Sequence, residues 1–240
     1  MAVSWEDQGI ILAVRAFGEY DAIITLLTEN KGRHAGIVKG GSGKRGRSLL
    51  QPGNLVKAWW RARLDEQLGT YTLEGLRPFA AEAMSSPVVL AGLSALCAMT
   101  EATLPEREPH AAVFRHTLHL LEHLGVSGWE VHYVLWEVGL LRDMGYGLDL
   151  TVCAATGTTE DLAYVSPRTG RAVCRAVGEP YVPRLLALPA FLLNESTEAR
   201  GPDEIAQGLA LTAHFFETHV FRPHRQEIPA SRQRFAARFS

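Results

Sequence analysis

The sequence predicts an α+β fold in which a five-stranded antiparallel barrel precedes a mostly α-helical domain with an inserted β-hairpin. Three observations predict this fold. Five short segments rich in branched and aromatic residues lie in the first third of the chain. Leucines at helical spacing dominate after Arg77-Pro78. A turn at residues 166–170 then separates two short apolar runs. We therefore expect two domains, residues 1–79 and 80–240, with the insertion at about residues 151–177.

Turn residues bound each predicted strand. Asn30 and Gly32 form one turn and Gly69 closes another, because these residue types accept positive φ. The glycine-rich segment 40–53 is predicted to be a loop, with one short helical turn at residues 48–51. The five predicted strands are Gln8–Val14, Ala22–Thr28, Arg33–Lys39, Leu55–Leu64 and Thr70–Leu76.

The predicted helices have recognisable starts and stops. Ser86 is a suitable cap, Pro87 stands in a first turn, and Gly125 follows the second helix. Trp129–Met144 is apolar on more than one side, which places it at the centre of the helical core. The four predicted helices cover about residues 86–104, His110–Leu124, Trp129–Met144 and about residues 202–220.

The charges of the chain are unevenly distributed. The segment Lys31–Arg63 has nine basic residues and no Asp or Glu, which leaves 15 basic residues against all 26 acidic ones elsewhere. A segment whose charged residues are all positive usually binds a polyanionic partner. The basic residues Arg232, Arg234 and Arg238 near the end of the chain could add a second phosphate contact, and a helix packed on the body is the equal alternative.

Within this basic segment, the predicted strand Leu55–Leu64 separates two kinds of side chain. Alternation puts apolar residues on one face and Lys57, Trp59, Arg61 and Arg63 on the other. Cations for phosphates beside an aromatic ring for a base are typical of single-strand binding. An ordinary half-buried strand with a solvated outer face is the alternative for the strand taken alone.

The loop at residues 40–53 combines glycines with cations. Glycines let the backbone approach a phosphate, and Lys44, Arg45 and Arg47 supply charge. The alternative is a mobile loop that merely aids solubility. Charge and strand count together favour an oligonucleotide-binding (OB) barrel, although strand count alone does not distinguish it from other small barrels. The predicted nucleic-acid-binding residues are Arg33, Lys39, Lys44, Arg45, Arg47, Lys57, Trp59, Arg61 and Arg63.

Other classes of function have weaker support. The sequence lacks a transmembrane run and a signal-peptide pattern, and three cysteines fit a reducing compartment, so we expect a cytoplasmic, nucleoid-associated protein. We find no Walker, GxSxG or HExxH motif and expect neither an enzyme nor a cofactor. His116, His119 and His123 share one side of a helix, and a solvated polar face is the default interpretation.

Cys153 and Cys174 flank the predicted hairpin at residues 162–174 and resemble the first positions of two CxxC pairs in a zinc ribbon. The partner positions hold Thr156 and Val177. A structural zinc needs four ligands, so we expect no metal and regard the two cysteines as remnants at most.

Taken together, these segments resemble the bacterial recombination mediator family RecO, in its alphaproteobacterial form. The matching stretches are residues 7–41, with GRHAG and the basic glycine loop, residues 49–74, with LQPG, and residues 155–173. They lie between residues 7 and 173 of the 240-residue chain. The resemblance implies an N-terminal OB barrel and a C-terminal helical domain, with a zinc-ribbon insertion in many members.

The resemblance also implies a function. Members bind single- and double-stranded DNA, anneal complementary strands, and act with RecR to load RecA onto strands coated with single-stranded DNA-binding protein. They contact the acidic tail of that coating protein, for which Arg115, Arg142 and Arg222–Arg225 are candidates in this chain. Two alternatives remain: an adaptor whose basic segment docks acidic protein tails, and an unrecognised hydrolase using Cys or His.

Overall fold

The structure, a computed structural model, describes residues 3–194 and 201–239, except for the side chains of Lys44, Arg45 and Asn194. Its strands are β1 (Val3–Phe17), β2 (Asp21–Thr28), β3 (Gly32–Val38), β4 (Leu55–Ala62), β5 (Thr70–Arg77), β6 (Leu162–Val165), β7 (Ala172–Cys174) and β8 (Leu186–Ala187). Its helices are α1 (Lys44–Leu49), α2 (Phe79–Ala83), α3 (Pro87–Thr103), α4 (Ala111–His123), α5 (Trp129–Asp143), α6 (Arg175–Gly178), α7 (Phe191–Asn194), α8 (Pro202–Phe215) and α9 (Ala230–Ala236). Short 3-10 segments lie at Glu179–Arg184 and Arg222–His224, and Phe216–Phe221 is π-helical.

The predicted α+β class is confirmed. Within the described residues, five strands close into a barrel in the order β1-β2-β3-β5-β4. Neighbouring strands are antiparallel except β3 and β5, which close the ring through a short parallel pairing of Ile37 with Thr70 and Val38 with Tyr71. The closed ring leaves no free edge, and its outward residues form a continuous surface.

Strand β1 is longer than the predicted Gln8–Val14 because it serves two neighbours. Its first half pairs with β4, from Val3 opposite Ala62 to Ile10 opposite Leu55. Its second half pairs with β2, and the register shifts between Ile11 and Ala13. The irregularity lets one strand bend from one side of the barrel to the other.

The barrel core contains the inward residues of all these strands. Ile11, Ile24, Leu26, Val56 and Trp60 are each at most 1% exposed. The indole N–H of Trp60 donates to the Leu68 carbonyl at 3.0 Å, so this large ring is both buried and hydrogen-bonded.

The chain divides into two compact units, residues 1–125 and 126–240. The first contains the barrel and helices α2–α4. Helix α3 packs on β1 and β2 and buries Leu93, Leu96 and Cys97. Helix α1, at Lys44–Leu49, replaces the short turn expected at residues 48–51. The domain boundary at residue 79 remains a prediction.

The second unit is built around α5. Tyr133, Val134 and Leu141 are fully buried on this helix, as its apolar pattern predicts. Helix α8 packs against α5, and in the described part of this unit β7, β6 and β8 form a small sheet. The predicted hairpin at residues 162–174 is thus present as β6 and β7.

The basic C-terminal segment forms a packed helix, α9, the second of its two predicted alternatives. Arg232 is buried at 4% side-chain exposure and pairs with Glu137, so it cannot contact phosphates. Arg234 and Arg238 remain exposed. Among the described helices, none combines the length and the apolar character needed to cross a bilayer.

Candidate nucleic-acid interface

The outer face of the barrel on β4 has the alternation predicted from the sequence. Val56, Ala58 and Trp60 point inward and are at most 1% exposed. Lys57, Trp59 and Arg61 alternate with them and reach the surface. A row of two cations and an indole therefore lies on one side of a rigid strand.

Strands β1 and β5 flank β4 and extend this face. Three cross-strand rows result, which are Gln8–Lys57–Glu74, Glu6–Trp59–Thr72 and Ser4–Arg61–Thr70. The outer face is therefore mixed in charge, since each of the first two rows brings a carboxylate. The absence of acidic residues in segment 31–63 did not indicate this mixed charge, because Glu6 and Glu74 belong to the neighbouring strands β1 and β5.

Glu6 contacts both of its neighbours on β4. Its Oε1 lies 2.7 Å from Nζ of Lys57, and its Oε2 accepts a hydrogen bond from the Trp59 indole at 2.6 Å. The Lys57 ammonium is also 5.0 Å from the centre of the Trp59 ring. The hydrogen bond from Lys57 contributes most to lowering the pKa of Glu6, and the hydrogen bond from Trp59 contributes next. The bond between Glu6 and Lys57 also raises the pKa of Lys57. Both groups are thus charged at neutral pH.

An open groove of about 460 Å³ crosses this face between the Glu6 and Arg61 rows. The Trp59 side chain and Arg61 both line it. Arg61 is exposed, and its Nε lies 3.4 Å from the Thr70 hydroxyl. Within the described residues it pairs with no carboxylate. An indole that lines a groove can stack a planar base, and a guanidinium beside it that is not paired with a carboxylate in the described residues can contact a phosphate.

The loop after β3 is fastened to the start of β2 through Asp21. Lys39 pairs with Asp21 at 2.7 Å, and the Gly40 amide donates to the same carboxylate at 2.9 Å. These bonds lower the pKa of Asp21, with the one from Lys39 contributing most. Arg47 is exposed and its Nε donates to the Ser42 carbonyl. The predicted side-chain contacts of Lys44 and Arg45 lie outside the described residues.

Arg33 and Arg63 lie outside the three cross-strand rows that are centred on β4. Arg33 has a side chain only 19% exposed, donates to the Leu104 carbonyl at 2.7 Å and pairs with Glu106 at 3.4 Å. It fastens the segment after α3 to the barrel. Arg63 is exposed just beyond the end of β4. The structure brings Lys57, Trp59 and Arg61 together and gives Arg33 a structural partner.

Two exposed aromatic residues near the loop were missed by the sequence analysis. Phe17 ends β1 and Tyr20 stands in the following turn, at 44% and 66% exposure. The Tyr20 carbonyl accepts a hydrogen bond from the Ser42 amide, so this turn adjoins the basic loop. The available signal was two aromatic residues between the predicted strands Gln8–Val14 and Ala22–Thr28. Their proximity to the basic loop could not be derived from the sequence.

Cys153 and Cys174 are brought together at the base of the β6–β7 hairpin. The Cys174 amide lies 3.3 Å from the Cys153 sulfur, and both residues are buried. The Thr156 hydroxyl is 3.8 Å from the Cys174 sulfur. Two thiols and one hydroxyl, with Val177 at the fourth position, do not fit a four-ligand zinc site.

Other residues singled out in the sequence occupy the surface. His116 and His119 are exposed on α4, as predicted for a solvated face, whereas His123 is half-buried. The His123 ring centre lies 4.2 Å from that of His119, and its Nδ1 lies 2.8 Å from the His119 carbonyl oxygen. Arg115 and Arg142 are also exposed, whereas Arg222 pairs with Glu217 at 3.1 Å.

Comparison with known proteins gives matches over nearly the whole chain. Residues 1–79 match the family model for Recombination protein O N terminal, and residues 84–227 match that for Recombination protein O C terminal. A DNA repair protein RecO from Rhodospirillum centenum is 52% identical, covering 99% of this chain and 95% of that protein. Proteins with the same name from Rhodospirillum rubrum and a Jannaschia species are 48% and 47% identical, each covering at least 94% of both chains. The resemblance inferred from the sequence is confirmed.

Proposed function

This chain belongs to the recombination protein O family, which gives it a role in DNA repair and recombination, and on that premise we propose that it is a recombination mediator. It binds single- and double-stranded DNA and anneals complementary strands. Together with RecR it helps load RecA onto strands coated with single-stranded DNA-binding protein.

The observation that carries the proposal is the face on β4, where Lys57, Trp59 and Arg61 line up on a closed barrel in a member of this family. Backbone phosphates supply most nucleic-acid affinity, and an exposed indole adds sequence-tolerant stacking. Neither contact reads base edges. The protein is therefore expected to bind with weak sequence preference.

Annealing follows from the same physics. Two strands repel each other through their phosphates, and a basic surface that displaces condensed counterions lets them approach. A strand held by its backbone leaves its base edges free to pair. The barrel acts as a surface that lowers repulsion, and the proposed reaction needs no nucleotide hydrolysis. That the protein is not an enzyme remains a prediction.

We assign contact with nucleic acid to residues 1–79 and contact with partner proteins to residues 80–240, including the insertion at about residues 151–177. Because Arg33 is committed to Leu104 and Glu106, we leave it out of the contact surface. The proposed contact residues are Lys39, Lys44, Arg45, Arg47, Lys57, Trp59, Arg61 and Arg63. The acidic tail of single-stranded DNA-binding protein is assigned to exposed arginines of the helical part, Arg115, Arg142 and Arg225.

The test is a salt titration of single-strand affinity combined with a strand-annealing assay. A variant with Lys44, Arg45 and Arg47 changed to Ala removes three cations of the loop. If all three contact phosphates, the slope of log affinity against log salt falls by roughly 2, at about 0.7 per phosphate contact on a single strand. The annealing rate falls with the affinity.

The matched control changes Arg168, Arg175 and Arg184 to Ala, which removes the same charge from exposed positions of the second unit. It is expected to keep the slope of the wild type. Equal slopes for all three proteins would show that the loop is not a phosphate clamp. An acidic peptide that displaces the oligonucleotide from the same residues, with no annealing by the wild type, would favour the adaptor alternative.

A further inference from the structure

Glu6 is the acidic residue in closest contact with the proposed DNA-binding row on β4. Its two oxygens hold two different neighbours, Nζ of Lys57 at 2.7 Å and the indole N–H of Trp59 at 2.6 Å. All three side chains are on the outer face of the barrel, and Glu6 and Trp59 also line the groove. A carboxylate in this position competes with any phosphate for the Lys57 ammonium.

We propose that Glu6 is an acidic gate on the β4 face, which an incoming single strand opens by substituting a phosphate for the Glu6 carboxylate at Lys57. The inference rests on the proposed function and adds a residue that limits affinity. In the closed state Lys57 is neutralised and the face has little net charge. In the open state Lys57 contacts a phosphate, and Arg61 contacts the next part of the backbone.

The exchange is feasible because the closed state is exposed to water. The side chains of Glu6 and Lys57 are 51% and 38% exposed, and pairs of this kind contribute little to stability. A phosphate carries the same charge as the carboxylate and in addition releases condensed counterions. The gate therefore opens easily for a polyanion and remains closed toward neutral ligands.

Glu6 also positions the indole of Trp59. The hydrogen bond holds the N–H edge of the ring, and Trp59 lines the groove, where a base can stack on it. The two effects of Glu6 are separable by substitution. Glu6→Gln keeps an oxygen that accepts from the indole but removes the charge that holds Lys57. Glu6→Ala removes both.

The experiment measures binding of a fluorescent oligodeoxythymidylate by anisotropy at several salt concentrations. Glu6→Gln is expected to bind about two- to fivefold more tightly than wild type at low salt, the range that one exposed ion pair represents. Its salt slope is expected to stay close to that of the wild type, because Lys57 contacts one phosphate in the bound state of both proteins. Glu6→Ala gains less than Glu6→Gln, since it loses the positioned indole.

Two controls separate the gate from a general change of charge. Glu66→Gln removes one negative charge from the exposed turn after β4 and is expected to alter affinity by less than Glu6→Gln. In a Lys57→Ala background, Glu6→Gln is expected to give no more gain than Glu66→Gln. Melting temperatures of all variants show whether each protein is folded.

The outcomes are distinct. Equal affinity of wild type and Glu6→Gln would overturn the gate and leave the proposed function intact. A gain that persists in the Lys57→Ala background would also overturn it, since the effect would then be general electrostatics. A failure of every variant to bind at low salt would overturn the proposed function and the gate with it.

Discussion

Arg232 and Glu137 form a buried ion pair with two hydrogen bonds inside the second unit. Nε of Arg232 lies 3.0 Å from Oε1, and its terminal nitrogen lies 2.9 Å from Oε2. The side chains are 4% and 0% exposed. Burial opposes the guanidinium charge, but the Glu137 carboxylate outweighs it and raises the pKa of Arg232. The pair fastens α9 to α5.

Replacing Arg232 by Met is expected to destabilise the protein by roughly 3–5 kcal/mol, because Glu137 would remain buried without its partner. Urea unfolding followed by circular dichroism measures this loss. Arg234→Met, on the exposed side of the same helix, is the control and is expected to change stability by about 0.5 kcal/mol or less. The double variant Arg232→Met, Glu137→Leu should recover most of the loss. Equal stability of the two single variants would contradict a structural role for the pair.

Gly69 is expected to tolerate no side chain, because it lies against the indole of Trp60. Its φ is +64°, and an added Cβ would lie 2.4 Å from two indole atoms. Gly18 is the matched control, with φ +62° and no atom within 4 Å of an added Cβ. Gly18→Ala should cost about 1–2 kcal/mol from backbone strain. Gly69→Ala should cost roughly 1–3 kcal/mol more from overpacking. Urea unfolding monitored by tryptophan fluorescence compares them, and equal costs would refute the packing argument.

His34 is expected to make stability depend on pH in the weakly acidic range. Burial, followed by the nearby charge of Arg107, lowers the pKa of His34 from 6.5 to about 4. Between pH 4 and pH 6.5, His34 is protonated in the unfolded chain but neutral in the folded chain. Stability therefore falls as the pH decreases from about 6.5 to about 4. Above pH 6.5 the contribution is complete and constant.

The measurement is the urea midpoint of the wild type and of His34→Gln at a series of pH values. Gln stays neutral, so the variant should lose the part of the slope that comes from His34. Its absolute stability is expected to fall as well, because the ring nitrogen of His34 lies 3.0 Å from the Tyr71 hydroxyl. Identical slopes for the two proteins would show that His34 is not the titrating group.

Cys153 is expected to be a thiolate at neutral pH. Burial acts against the charge, but hydrogen bonds from the Thr156 hydroxyl and from the backbone amides of Cys174, Ala155 and Thr156 lower the pKa of Cys153 to about 6. Burial raises the pKa of Cys97 to about 12. Ultraviolet thiolate absorbance should therefore titrate near pH 6 in the wild type and lose that step in Cys153→Ser. A first step near pH 9 in the wild type would contradict the hydrogen-bonding argument.

The sequence predicts most of the fold because the relevant signals are local. Alternation along β4 identified Val56, Ala58 and Trp60 as the inner face, and they are buried. Start and stop residues located α3 near Ser86-Pro87. Boundaries were less accurate where a strand serves two partners, as β1 does, since the extra length is set by residues that pair with it from afar.

The candidate site was less predictable because its charges are paired across strands. Counting acidic residues in segment 31–63 could not reveal that Glu6 forms an ion pair with Lys57 or that Asp21 forms one with Lys39. Register between distant strands decides such meetings. Arg33 was likewise predicted from its charge to contact nucleic acid, whereas in the structure its Nε donates to the Leu104 carbonyl.

The double pairing of β1 has a consequence for how the protein emerges from the ribosome. Val3 pairs with Ala62, which is far along the chain, whereas Phe17 pairs with Asp21, which is synthesised almost immediately afterwards. At about 5–20 residues per second, the first half of β1 waits roughly 3–12 s for β4 to be synthesised. During that interval its apolar residues lack a sheet to join, so a nascent chain stopped before residue 55 should be a ready client for chaperones.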